Sequence, residues 1–143
     1  MTTEPKWKNW VVETNGFMFS TKLCQEIIDL SKTLEKTIST TGEEGKRDKT
    51  RESTITWIPF DKMQPIYNDV VKYIQNINKN YFGFSNVQIT EEAQFTEYSV
   101  GDFYNWHTDT TTNMEKEPPV RKISMTLLLN DPNEFEGGNL EIA

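Results

Sequence analysis

Residues 94–109 read Gln-Phe-Thr-Glu-Tyr-Ser-Val-Gly-Asp-Phe-Tyr-Asn-Trp-His-Thr-Asp, an alternating stretch, a Gly-Asp turn and a second aromatic-rich stretch. That pattern predicts strand, turn, strand, and it commits this part of the chain to antiparallel β structure. Gln94, Thr96 and Tyr98 share one face of the first strand, and Ala93, Phe95 and Glu97 share the other. The run holds the chain's single histidine, His107, two residues before Asp109. Side chains at i and i+2 of a strand leave the same face from points roughly 6.6 Å apart, so an imidazole and a carboxylate there can close on one cation. They are two thirds of the 2-His-1-carboxylate set that holds non-haem iron. A second histidine is absent from these 143 residues.

The rest of the chain alternates helical and strand patterns. Trp7, Trp10, Val11, Val12, Phe17 and Phe19 around Asn15-Gly16 predict a short strand pair. Leu23, Ile27, Leu30 and Leu34 behind Ser20 predict an amphipathic helix over 20–37 that covers a sheet. Residues 40–52 are polar, glycine-containing and charged, the composition of a surface loop. Residues 53–58, Ser-Thr-Ile-Thr-Trp-Ile, form a β-branched strand ended by Pro59. A second helix opens at Asp61, with Met63, Ile66, Val70, Tyr73, Ile74 and Ile77 on its stripe and Pro65 in its first turn; residues 79–84 break it.

A long strand is predicted over 87–98, and residues 110–117 are a polar connection closed by Pro118-Pro119. Residues 121–130 are the most apolar run and predict a central strand. A turn at 131–134 leads into a further strand over 135–143. That last strand has no turn or polar tail behind it, so the chain is expected to be incomplete at its C-terminus.

Composition narrows the function. A net charge of −7 with one histidine argues against a nucleic-acid binder, which normally carries a basic face. No run reaches the ~18 apolar residues of a membrane span, and the N-terminus lacks a signal-peptide core. One cysteine, Cys24, allows no intramolecular disulfide; it is read as a packing residue, and the chain as a single cytoplasmic domain over 1–143.

The motifs together carry a resemblance. Gln94-x3-Tyr98-x2-Gly101-x-Phe103-Tyr104-x2-His107-x-Asp109, then Arg121-x-Ile-Ser-x-Thr-Leu-x-Leu-Asn130, then Glu136-Gly-Gly-x-Leu140, resembles the iron(II)- and 2-oxoglutarate-dependent dioxygenases of the prolyl 4-hydroxylase-like branch, closest to the bacterial and phage type. Arg51-x-Ser53-x3-Trp57-Ile58 resembles the N-terminal part of the same proteins.

The resemblance implies a mainly β fold with flanking helices (α+β), a double-stranded β-helix or jelly roll that is incomplete at the C-terminus. It implies His107 and Asp109 as Fe(II) ligands, Tyr98 as a hydrogen-bond partner of 2-oxoglutarate, and Arg121 near the cosubstrate and substrate. The implied cofactors are Fe(II) and 2-oxoglutarate, with ascorbate as a candidate reductant. The implied reaction is hydroxylation of a peptidyl prolyl or other side chain, or of a small molecule. The distal histidine and the basic residue that anchors 2-oxoglutarate are expected on strands beyond Ala143. The competing reading is a non-catalytic jelly-roll binding module that has lost the metal site.

Overall fold

The computed structural model describes residues 9–14, 16–39, 50–109 and 121–142. They combine helices with short antiparallel strands, and the chain groups into two compact units. One unit comprises residues 19–58, 93–108 and 125–143; the other comprises 1–18, 59–92 and 109–124.

In the unit containing residues 19–58, helix α1 spans Thr21–Ser31. Ser20 holds an extended backbone and its Oγ accepts from Leu23 N at 3.2 Å, the N-cap that the sequence announces. The helix stops six residues before the predicted end. Ser31 Oγ donates to Ile28 O and Thr33 Oγ1 to Leu30 O, so hydroxyls take the carbonyls that the next turn would need. α1 packs against strand β3 (Thr54–Ile58), and the two elements bury Ile27, Ser31, Thr56 and Ile58.

β3 is the centre of a three-stranded antiparallel sheet, flanked by β1 (Thr37–Ile38) and β4 (Ala93–Glu97). The register pairs Thr56 with Phe95 and Trp57 with Gln94. Gln94 and Thr96 therefore lie on the face carrying Ile55 and Trp57, opposite buried Thr56 and Ile58. The strand predicted over 87–98 is only its last part, since β3 is five residues long and Pro59 has no N–H with which to extend the ladder.

A second pair joins β2 (Arg51–Glu52) to β5 (Phe103–Tyr104), with Arg51 opposite Tyr104. Residues 51 and 52 thus leave the predicted loop and become sheet; residues 40–49 and 110–120, which hold the other predicted loop, lie outside the described residues. The turn expected at 100–102 is present, with Ser99 N donating to Asp102 Oδ2 and Asp102 N to Ser99 O.

The C-terminal segment departs most from expectation. Residues 121–130 and 135–142 take no place in a strand ladder among the described residues, and Leu128, Leu140 and Ile142 are exposed. An apolar run becomes a strand only when neighbouring backbone takes its N–H and C=O groups, and none of the described strands does so. The sheets have three and two strands, and no closed jelly roll forms among the described residues. The turn at 131–134 is a 3₁₀ turn capped by Asp131, and Gly137 and Gly138 both adopt positive φ, consistent with the bend expected there.

In the other unit, a 3₁₀ turn at Phe60–Lys62 leads into α2 (Gln64–Ile77), with Pro65 in its first turn. Ile66 and Tyr67 are buried, and the Phe60 and Tyr67 rings sit 4.6 Å apart. The helix does not break at 79 as predicted: it continues as a π turn over Asn78–Phe82 and ends at Gly83, φ 77°. Phe60, Tyr67, Val71 and Ile74 face Val87 and Ile89 across a cavity of about 300 Å³. The strand pair predicted around residue 15 does not form among the described residues there, and Trp10 and Phe17 are 88% and 96% exposed.

Candidate functional site

In the unit containing residues 93–108, Arg51 of β2 and His107 both meet the Tyr104 ring of β5. The β2/β5 ladder sets Arg51 opposite Tyr104, and Asn105 N donates to Thr50 O at 2.7 Å, which prolongs the pairing by one residue. The chain then turns sharply, because His107 lies back on the strand it has just left. Its ring stacks on Tyr104 with centroids 3.6 Å apart and planes 11° from parallel. Its Nδ1 stands 2.8 Å from Asn105 O.

That contact decides the tautomer. A carbonyl only accepts, so Nδ1 carries the proton and Nε2 of the neutral ring carries the lone pair. An imidazole held through Nδ1–H by a backbone carbonyl is the arrangement that metal-ligating histidines commonly use, since it orients the ring and raises the basicity of the other nitrogen. His107 fits a metal by its donor chemistry.

Asp109 is exposed and opens a segment of the other unit. Its backbone carbonyl accepts from Arg121 Nη1 at 2.9 Å, while Arg121 Nη2 pairs with Glu91 Oε2 at 2.6 Å. Arg121 is thereby engaged by a carboxylate of its own unit. Tyr98 follows β4 and is 52% exposed, where the sequence reading turned it inward. No group of three His, Cys, Asp or Glu side chains stands close enough to hold a metal among the described residues.

The residue that sequence reasoning assigned to a loop is Arg51, and it is the most buried charge described, 6% exposed. Nε donates to Ser53 Oγ at 2.8 Å, and Nη2 donates to Gln94 Oε1 at 2.9 Å and Thr96 Oγ1 at 3.2 Å. The guanidinium carbon lies 4.5 Å from the Tyr104 ring centroid, so one aromatic ring touches both Arg51 and His107. The signal for this cluster was the spacing Arg51-x-Ser53 ahead of a strand, which puts both side chains on one face with Ile55 and Trp57.

Residues 93–143, roughly a third of the chain, match the family model of the 2OG-Fe(II) oxygenase superfamily. The matched stretch begins at the first residue of β4 and contains Tyr104, His107, Asp109 and Arg121. No curated protein and no solved structure matches the chain. The family match supports a hydroxylase-type chemistry that uses Fe(II) and 2-oxoglutarate.

Proposed function

We propose that this chain contributes His107 and Asp109 as Fe(II) ligands in a 2-oxoglutarate-dependent hydroxylase of the prolyl 4-hydroxylase-like type, acting on a peptidyl side chain or a small molecule. The observation that carries the reading is the Nδ1–H bond of His107 to Asn105 O, inside the stretch that matches the oxygenase family. Bound Fe(II) with 2-oxoglutarate would supply dioxygen activation, coupling decarboxylation of the oxo acid to hydroxylation.

The chain's own residues do the holding. Asn105 O fixes which nitrogen of His107 meets the metal, Tyr104 clamps the plane of the imidazole, and the β2/β5 pairing holds Tyr104 in turn. Ascorbate as reductant and a cytoplasmic setting are part of the proposal; Fe(II) chemistry and a single free cysteine both suit a reducing compartment. No helix among the described residues is long and apolar enough to cross a membrane.

Anaerobic thermal denaturation tests the assignment. Fe(II) with 2-oxoglutarate, at about a hundred times its dissociation constant, should stabilise the wild-type chain by about 2.7 kcal/mol. EDTA should reverse the gain, and His107→Ala should abolish it. An unchanged metal-induced shift in His107→Ala removes His107 from the ligand set.

The second reading is a non-catalytic jelly-roll binding module, which expects no metal-dependent shift in the wild type.

A further inference from the structure

Arg51 is a charge taken almost out of water, and its acceptors among the described residues are neutral: the Ser53 hydroxyl at Nε, and the Gln94 amide oxygen and Thr96 hydroxyl at Nη2. Burying a cation is costly, and an apolar side chain of similar size fills the same space without that cost. What arginine adds is a planar, rigid fork of donors. Here the fork is spent on two segments, Ser53 just ahead of β3 and the Gln94–Thr96 pair in β4. Ser53 is itself fixed by the Ser39 hydroxyl at 3.0 Å and by a backbone bond from Ser39 N. Bonds at Nε and Nη2 together set the plane of the guanidinium, whose carbon lies 4.5 Å from the centre of the Tyr104 ring.

That ring is where orientation matters. β5 is two residues long, and its backbone pairing sets the place of the Tyr104 Cα without setting how the ring is turned. His107 is exposed, so water competes for its ring nitrogens, and the stack on Tyr104 at 3.6 Å is what lays Nδ1 against Asn105 O.

We infer that Arg51 is a positioning residue for His107, acting through Tyr104: the anchored guanidinium fixes the Tyr104 ring, the ring fixes the imidazole plane, and Nδ1–H stays on Asn105 O with the lone pair left on Nε2. The consequence rests on the reading of His107 as a metal ligand, because a ring whose tautomer and plane are set beforehand loses little freedom when a metal arrives. The test does not rest on it. It reads the imidazole in EDTA, before any metal is present.

The chain has one histidine, so a long-range proton–nitrogen spectrum of protein carrying isotope-labelled histidine needs no assignment. At a fixed pH well above the ordinary imidazole range, the wild type should show Nδ1 protonated and Nε2 bare. In Arg51→Gln the two nitrogen shifts should approach each other as both tautomers become populated, with the far-UV circular dichroism unchanged. Tyr104→Leu should give the same mixture, and adding Arg51→Gln to it should change nothing further, a non-additivity that a merely structural arginine would not produce. If Arg51→Gln does not fold, Gln94→Leu with Thr96→Val removes the acceptors of Nη2 and should give the mixture in its place.

A single Nδ1–H form that persists in folded Arg51→Gln, or in the Gln94/Thr96 variant where that one is needed, overturns the inference. So does a further shift when Arg51→Gln is added to Tyr104→Leu. Fe(II) with 2-oxoglutarate should then bind Arg51→Gln about tenfold or more weakly than wild type. A wild type that takes up no Fe(II) removes the ligand reading alone, since the tautomer result is obtained without metal.

Discussion

Thr56 offers the sharpest energetic test of how this sheet is held. It sits at the centre of β3, is 1% exposed, and its Oγ1 has no hydrogen-bond partner among the described residues. Burying a hydroxyl without a partner costs about 1–3 kcal/mol. Thr56→Val keeps the β-branched shape and exchanges the hydroxyl for a methyl group. That removes the penalty, adds apolar contact and retains strand propensity. Part of the gain is lost to imperfect packing of the new methyl, so the expected net stabilisation is about 1 kcal/mol.

For a chain of this size that corresponds to a rise in Tm of about 2–4 °C. Urea denaturation followed by far-UV circular dichroism gives the free energy, and an unchanged slope shows that the gain lies in the folded state. Thr56→Ser is the control: it keeps the orphan hydroxyl, loses a buried methyl and should destabilise. If Thr56→Val instead costs about 1 kcal/mol or more, the hydroxyl is bonded in solution and is no orphan.

Two further substitutions probe the ends of the helices. Ser20→Ala deletes the cap on Leu23 N and should destabilise by about 1 kcal/mol in the same urea titration, with Ser20→Asp close to wild type. Gly83 closes the π turn after α2 at φ 77°, with its N–H donating to Asn78 O. Gly83→Ala should cost about 1 kcal/mol, and Gly83→Asn should recover part of that because asparagine tolerates the left-handed region.

The parts of this protein legible in its sequence are those whose cause is local. Ser20 and the apolar spacing behind it mark α1; Ile66, Val70 and Ile74 with an early proline mark α2; the β-branched run before Pro59 marks β3. Each follows from backbone sterics and periodicity within a dozen residues. The alternation of Gln94 and Thr96 also gave their shared face correctly, since side-chain direction in a strand follows from pleat alone, whereas Tyr98 lies beyond the end of β4 and is exposed. The short interval between His107 and Asp109 was visible in the same way, as a pattern of donor types.

What the tertiary structure decided is whatever needed a partner from far along the chain. The apolar run at 121–130 has every local property of a strand and is not one among the described residues, because a ladder exists only where a second strand meets it. Arg51 read as loop by its charge and neighbours, yet pairing with Tyr104 made it sheet, and Gln94 and Thr96, more than forty residues away, made it a buried cation. The proton on His107 was settled in the same manner, by a turn that lays the ring on Tyr104 and brings Nδ1 to Asn105 O. Composition fixed which donors the chain possesses; hydrogen bonding, which depends on distance and direction, selected which of them are oriented, buried and charged in one place.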